Sequence, residues 1–345
     1  MIVSRNISVV RTIKWSGHHF IWLLTFVSCI ASLYYFKIIT ITIPWLPLSV
    51  IATAVAFYVG LKNNQAFERL WEARKIWGEI VNESRSWGML VDGFITNFFN
   101  SENKLEKKQL QEIKQRLIYR HIAWLYAHRN QLLIPAPWEH ISTNGYTKRT
   151  VAKFQKRYGI GLLDNEKSIE EPENFLLKDE YNQLKGSKNM ATQILNLQSR
   201  DLTDLREKGV IEDFRHIELV SILKNFYACQ GKNERIKKFP LPRQYANMSQ
   251  YFIGIFIFLL PFSMVPELMK LGQIGFLLSI PITALIGWVY VMMEIIGDYS
   301  ENPFQGMAND IPMLSLCRTI EIDLRQMLGE TDLPPVIKSN EGILL

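Results

Sequence analysis

The chain has 345 residues and a formal net charge of +6, with 48% hydrophobic and 21% charged residues. Basic and acidic residues interleave and no DNA- or RNA-binding signature occurs, which sets nucleic acid aside as a partner. Three widely separated cysteines, Cys29, Cys229 and Cys317, exclude a disulfide framework or a paired-spacing zinc site and read as small packing residues.

A mean hydropathy of +0.01 hides a strong unevenness along the chain. Four nearly charge-free runs, at 20–36, 38–61, 245–265 and 271–293, approach the ~20 apolar residues that a spanning helix needs. The first follows Arg5, Arg11 and Lys14 and has no small-residue cleavage site, so it reads as an uncleaved span with a cytoplasmic N-terminus. Lys37 at its end is placed to snorkel. His18 and His19 are neighbours in sequence and are expected not to face one another; they read as interfacial residues rather than a metal site. A short outer turn at 37–45, containing Pro44, leads to the second run.

That second run joins a charged, aromatic segment, 62–74, without a turn signal. The join predicts one helix that leaves the membrane and continues into water. Ser49, Thr53, Phe57 and Leu61 are spaced by four, so they share one slightly twisted face. Ala52, Ala54, Ala56 and Gly60 permit close helix approach. Spacing alone leaves two readings open: an ordinary packed helix, or the wall of a narrow pore built from several copies.

Leu70, Ala73, Trp77, Ile80, Ser84, Trp87, Val91 and Phe94 alternate spacings of three and four and predict a helical packing seam. Glu72, Lys75, Glu79, Glu83 and Arg85 fall on other faces. A second helix is expected over 104–128, with Leu110, Ile113, Leu117 and Trp124 on one side. Residues 133–188, punctuated by Pro, Gly and Asn, read as an irregular insertion with limited helix. Helices resume over 190–206 and 211–229, and Pro240-Leu241-Pro242 marks the return to the third run. Pro261 and Pro281 inside the last two runs read as packing kinks, and a short link at 266–272 joins those runs.

Gly-Xaa-Ser-Xaa-Gly, a phosphate-binding loop and a paired-histidine metalloprotease pattern do not occur in the sequence. Glu294, Asp298 and Glu301 follow the fourth run at helical spacing. They fit either an acid–base or cation site, or a charged helix end pairing with Lys or Arg of the cytoplasmic part. No cofactor is implied.

The segment from Gly60 to Gly78, with Asn63, Asn64, Glu68, Arg69, Trp71, Glu72 and Arg74, closely resembles the bacterial branch of the bestrophin family. A second match is Glu301-Asn302-Pro303-Phe304, followed by Asn309-Asp310-Ile311-Pro312-Met313 and the stretch from Leu316 to Glu321. The insertion is poorly matched. The resemblance implies an all-α protein with four transmembrane helices per subunit and a large cytoplasmic helical domain, assembled as a homopentamer around a central pore. The corresponding regions are 1–61 (N-terminus and helices one and two), 62–240 (cytoplasmic domain), 241–296 (helices three and four) and 297–345 (cytoplasmic C-terminal helix and tail).

It further implies an ion channel, not an enzyme, in the bacterial inner membrane, with both termini cytoplasmic. Its partners are then the bilayer, other copies of the chain and monovalent ions. The family's hydrophobic neck falls on Thr53, Phe57 and Leu61, the face already set apart by spacing. Thr53 departs from the bulky apolar residues the family has there, which implies a wider or more polar outer constriction. A cytosolic aperture aligns with Phe214 or Ile217. Animal relatives carry a calcium clasp, of which only Asn302 and Asp310 remain here. Calcium prefers six to eight oxygens with several carboxylates, so no calcium activation is expected. Animal members pass chloride and other small anions, and some bacterial members favour monovalent cations; the bacterial pattern gives the lean to cations such as sodium. Two further readings stay open: a membrane-anchored enzyme using Glu294, Asp298 and Glu301, and a non-conducting membrane scaffold.

Overall fold

The computed structural model describes residues 1–6, 9–98, 104–143, 145–158 and 172–344. Ten α-helices occur among them: α1 Val9–Tyr35, α2 Trp45–Phe94, α3 Lys107–Leu133, α4 Tyr146–Tyr158, α5 Lys178–Leu184, α6 Met190–Glu207, α7 Asp213–Lys238, α8 Arg243–Met269, α9 Gly272–Asp298 and α10 Met313–Met327. No β-strand accompanies them among the described residues; an isolated bridge pairs Ile2 with Ile343. Four helices are long and apolar enough to cross a membrane: α1 from Trp15, α2, α8 and α9. The contacts divide into two compact units, one of residues 4–69 and 240–302 and the other of residues 1–3, 70–239 and 303–345.

The first unit is a four-helix assembly made by α1, the first half of α2, α8 and α9. Trp15 meets Tyr299, and a side chain at Gly287 would touch Leu23, so α1 and α9 run antiparallel. α8 and α9 form a hairpin whose turn uses Gly272 at φ 75°, where a side chain would be strained. The core is Leu23, Val27 and Ala31 of α1, Leu48, Val55 and Val59 of α2, and Ile253, Phe256 and Leu260 of α8, with Ala284 of α9.

The second expected span is shortened in the structure. α2 starts at Trp45, not at residue 38, and residues 38–44 belong to no helix. α1 stops because Lys37 adopts φ 54°, while the Ile38 and Lys37 amides donate to the carbonyls of Leu33 (2.9 Å) and Tyr34 (3.0 Å). This is the paired closure of a helix C-terminus, with lysine where glycine is usual. Pro266, expected in the link, lies inside α8. Proline has no N–H to give to the carbonyl four residues back. The Ile43 amide takes that role, donating to the Phe262 carbonyl at 3.1 Å, so the segment before α2 satisfies the group that proline frees.

The second unit is built around α3, which packs on α6, α7 and α10. The spacing of Leu110, Ile113, Leu117 and Trp124 predicts one apolar side for this helix. The structure buries residues 117–118 and 120–129 on every face, because neighbours surround the helix. Arg120 enters this interior paired with Asp201 (2.7 Å) and Glu180 (2.5 Å). His121 and His128 are buried too, and burial pushes them down to about 3 and about 4. The seam on the second half of α2 is buried as expected: Ala73, Trp77, Ile80, Ser84 and Trp87 are fully enclosed. The insertion contains α4 and α5; its residues 159–171 lie outside the described residues.

Candidate functional site

The first half of α2 has two unlike faces. One buries Leu48, Val55, Val59, Lys62 and Ala66, at the spacing of a helical stripe. The other exposes Leu46, Val50, Phe57 and Leu61, with Phe57 70% exposed. Ser49, Thr53 and Phe57 line one open cleft on this exposed face together with Val50 and Ala54. Thr53 Oγ1 donates to the Ser49 carbonyl (2.9 Å), and Ser49 Oγ donates to that of Leu46 (2.7 Å). Both hydroxyl hydrogens are therefore used within the helix, and Thr53 offers only its methyl group and oxygen lone pairs to the space beside it.

The buried face carries a charge that sequence analysis had assigned to a water-facing segment. Lys62 is fully buried, and its Nζ contacts Glu294 Oε1 of α9 and donates to Ser249 Oγ of α8 (3.0 Å). Ser249 Oγ lies 2.8 Å from the same carboxylate oxygen. An isolated ammonium or carboxylate at this depth would be strongly disfavoured, and pairing removes the penalty. Three further hydrogen bonds hold α2: Tyr58 donates to the Tyr245 carbonyl (2.9 Å), Tyr290 to the Ala52 carbonyl (3.1 Å) and Asn63 Nδ2 to the Met293 carbonyl (2.8 Å). Gly297 makes the Asn63 contact possible, since a Cβ there would stand 1.9 Å from Asn63 Oδ1. Pairing of Glu294 with a lysine or arginine was one reading of the sequence, but the choice of Lys62 and the other contacts were not read from it. The one available signal was that Lys62 continues the helical spacing of Val55 and Val59.

The remaining motif residues separate into groups. Asn64 Nδ2 donates to Glu68 Oε1 (2.8 Å) on an exposed surface, and Glu72 pairs with Lys75 (2.8 Å). Trp71 is 55% exposed, and Arg69 and Arg74 are half-buried. Glu294 pairs with a lysine of the 62–240 region, as one reading had it, whereas Glu301 does not. Their partners are Lys62 and, at 2.8 Å, Arg243, both within their own unit. Nor do they combine with Asp298 into a cation site: among the described residues no group of three or more His, Cys, Asp or Glu side chains is arranged to hold a metal. His18 and His19 contradict the expectation for neighbours, because their ring centroids lie 3.9 Å apart.

Asn302, Pro303 and Phe304 are buried. Asp310 accepts the amides of Gly306 (2.7 Å) and Met307 (3.0 Å), capping its own loop, and burial raises its carboxyl to about 7. Phe214 and Ile217, both exposed, lie in the first turns of α7.

Residues 1–326 match the family described as bacterial/fungal bestrophin protein. The chain belongs to that family. A voltage-dependent anion channel-forming protein of Escherichia coli K12, YneE, is 26% identical over 291 residues, 84% of this chain and 79% of that protein. A protein of the same description from Mesorhizobium japonicum is 24% identical over 290 residues, 84% of this chain and 76% of its own length. Among solved structures, a bacterial bestrophin homolog from Klebsiella pneumoniae superposes with a TM-score of 0.69 at 20% identity, covering 91% of this chain and 98% of that one. This last likeness concerns the fold. Membership in the bestrophins puts the chain among ion channels rather than enzymes.

Proposed function

We propose that the chain is a pore-forming ion channel of the bacterial inner membrane, a homopentamer with the first half of α2 from each subunit around one axis. The observation that carries this reading is the two-faced character of that half helix. Its buried face is fixed by an ion pair and three hydrogen bonds, whereas Phe57 and Leu61 stand exposed on the other. Phe57 and Leu61, with Thr53 beyond them, form the hydrophobic neck. Such a constriction resists wetting, so its width and dryness gate ion passage. Thr53, smaller than leucine or phenylalanine, leaves the outer end of the neck wider, and its oxygen offers lone pairs but no free hydrogen. Phe214 or Ile217 supplies a second aperture on the cytosolic side, where both termini lie.

Lys62 follows the neck in sequence but gives it no net charge, because Glu294 neutralises it on the far side of the helix. Permeant ions are small and monovalent. The cation preference expected from the bacterial pattern has a rival in the relatives' description as anion channel-forming proteins. Asp310 is engaged by its own loop amides, which fits a channel that calcium does not activate.

The test is a planar-bilayer recording with purified protein under asymmetric salt. Conduction is expected, the sign of the reversal potential distinguishes cation from anion, and Phe57→Ala raises the conductance. Micromolar calcium leaves the current unchanged. Absence of current under every gradient, or a monomer in detergent, would overturn the proposal.

A further inference from the structure

The helical unit of α1, α8 and α9 holds an open cleft of about 520 Å³ that the pore reading does not use. His19, Trp22 and Phe26 of α1, Gln250 and Gly254 of α8, and Glu294 of α9 are among the residues that form it. Its polar groups gather at one end. Glu294 lies in the last turns of α9, Gln250 near the start of α8, and Ser249 beside Gln250 contacts Glu294 directly. Trp22, which is 58% exposed, and Phe26 follow His19 along α1, so the cleft is polar near the ends of α8 and α9 and apolar farther along α1.

Glu294 is the decisive group. Its side chain is 9% exposed, and Oε1 is committed to Lys62 and Ser249. Oε2 is buried and has no hydrogen-bond donor. A buried carboxylate oxygen without a donor is costly, and a ligand that brings one removes that cost. The Lys62–Glu294 pair is already neutral, so a ligand with no net charge suits it better than a cation or an anion.

We infer that the cleft binds a zwitterionic aminophospholipid of the surrounding bilayer. Its primary ammonium donates to Glu294 Oε2, its phosphate meets the N–H groups of His19 and Gln250, and an acyl chain lies along Trp22 and Phe26. A choline headgroup lacks the N–H donor, and a glycerol headgroup has hydroxyl donors but brings a net negative charge beside a carboxylate. Both should bind less well.

Gly254 provides a way to fill the cleft without disturbing the ion pair. A Cβ added there meets nothing within 4 Å, so a larger side chain enters open space, and replacing glycine within a helix does not weaken the helix. Purified full-length protein in mild detergent is incubated with equimolar phosphatidylethanolamine, phosphatidylcholine and phosphatidylglycerol of identical chains, and retained lipid is identified by mass spectrometry. Phosphatidylethanolamine should be retained about tenfold over the other two, the effect expected of one charge-assisted hydrogen bond. Gly254→Leu should abolish the preference while the melting temperature and oligomer size stay the same. Equal retention of the three lipids by the wild-type protein overturns the inference, as does retention of none, which would mean that another copy of the chain covers the cleft. A phosphatidylethanolamine preference that survives in folded Gly254→Leu overturns it too. Because the readout is lipid and not current, the inference stands or falls separately from the channel proposal.

Discussion

The two halves of α2 solve opposite problems with one continuous helix. In the second half, the large apolar residues Trp77, Ile80 and Trp87 are buried and the charged Lys75, Glu79 and Arg85 face outward. That is the pattern water imposes. In the first half, Leu46, Val50, Phe57 and Leu61 are outside and a lysine is inside. The hydrophobic effect cannot drive that arrangement in water, so another apolar phase or another copy of the chain must cover the exposed face. The helix is thus apolar on both faces up to Leu61 and amphipathic beyond it, and the change comes where the span gives way to the charged segment.

Several substitutions break or sharpen this contrast. The largest effect is expected inside the first half. Lys62→Met leaves the Glu294 carboxylate buried without its partner, and removing one member of a buried pair costs about 3–5 kcal/mol. Thermal unfolding of the detergent-solubilised protein should show the loss, and the double variant Lys62→Met/Glu294→Met should regain most of it. If the single variant were as stable as wild type, the buried brace would not be what holds α2. A comparable loss is expected at Trp87 in the second half, where truncation to alanine empties a fully buried site at about 3–5 kcal/mol. Here no second substitution restores stability, because the lost term is packing rather than charge.

Gly297→Ala tests the close approach of α2 and α9. Its Cβ would strike Asn63 Oδ1, and overpacking of this kind costs about 1–3 kcal/mol. An unchanged melting temperature would mean that Asn63 yields easily. The smallest stability effect belongs to Phe57→Ala, since the side chain is largely exposed. Its melting curve should match wild type while conductance rises, and a large destabilisation would return Phe57 to the role of an ordinary packed residue.

In the second unit, two buried histidines predict acid sensitivity. His121 and His128 are held neutral by burial, below their ordinary value of 6.5. A depressed folded-state value means that the unfolded chain takes up protons first. Stability is then fully present above about pH 6.5 and falls as the pH drops toward 4. His121→Phe should shrink this acid limb in a pH series of melting curves. The Ser84 hydroxyl it leaves behind still donates to the Ile80 carbonyl (2.6 Å), so the substitution creates no orphan. An unchanged limb would assign the acid sensitivity to other groups. Asp310 acts in the opposite direction. Its raised value favours the protonated form in the fold, so its contribution is lost as the pH rises toward 7.

The sequence by itself determined the all-helical class, the four long apolar helices, the family and the buried seam from Ala73 to Val91. Each of these rests on local periodicity or on residues close together in the chain, and such patterns survive without knowledge of the fold. Phe57 and Leu61 also emerged as one face by spacing, and the structure leaves that face exposed. Tertiary structure alone decided what the opposite face does. Lys62 reads as the first residue of a water-facing segment until Glu294, 232 residues later, is brought against it. Likewise, the Ile43 amide finds the carbonyl that Pro266 frees, and residues 117–118 and 120–129 are covered on all sides. Periodicity says which residues share a face. Whether that face meets water, lipid or a partner charge depends on chain segments far away in sequence, and only folding brings them together.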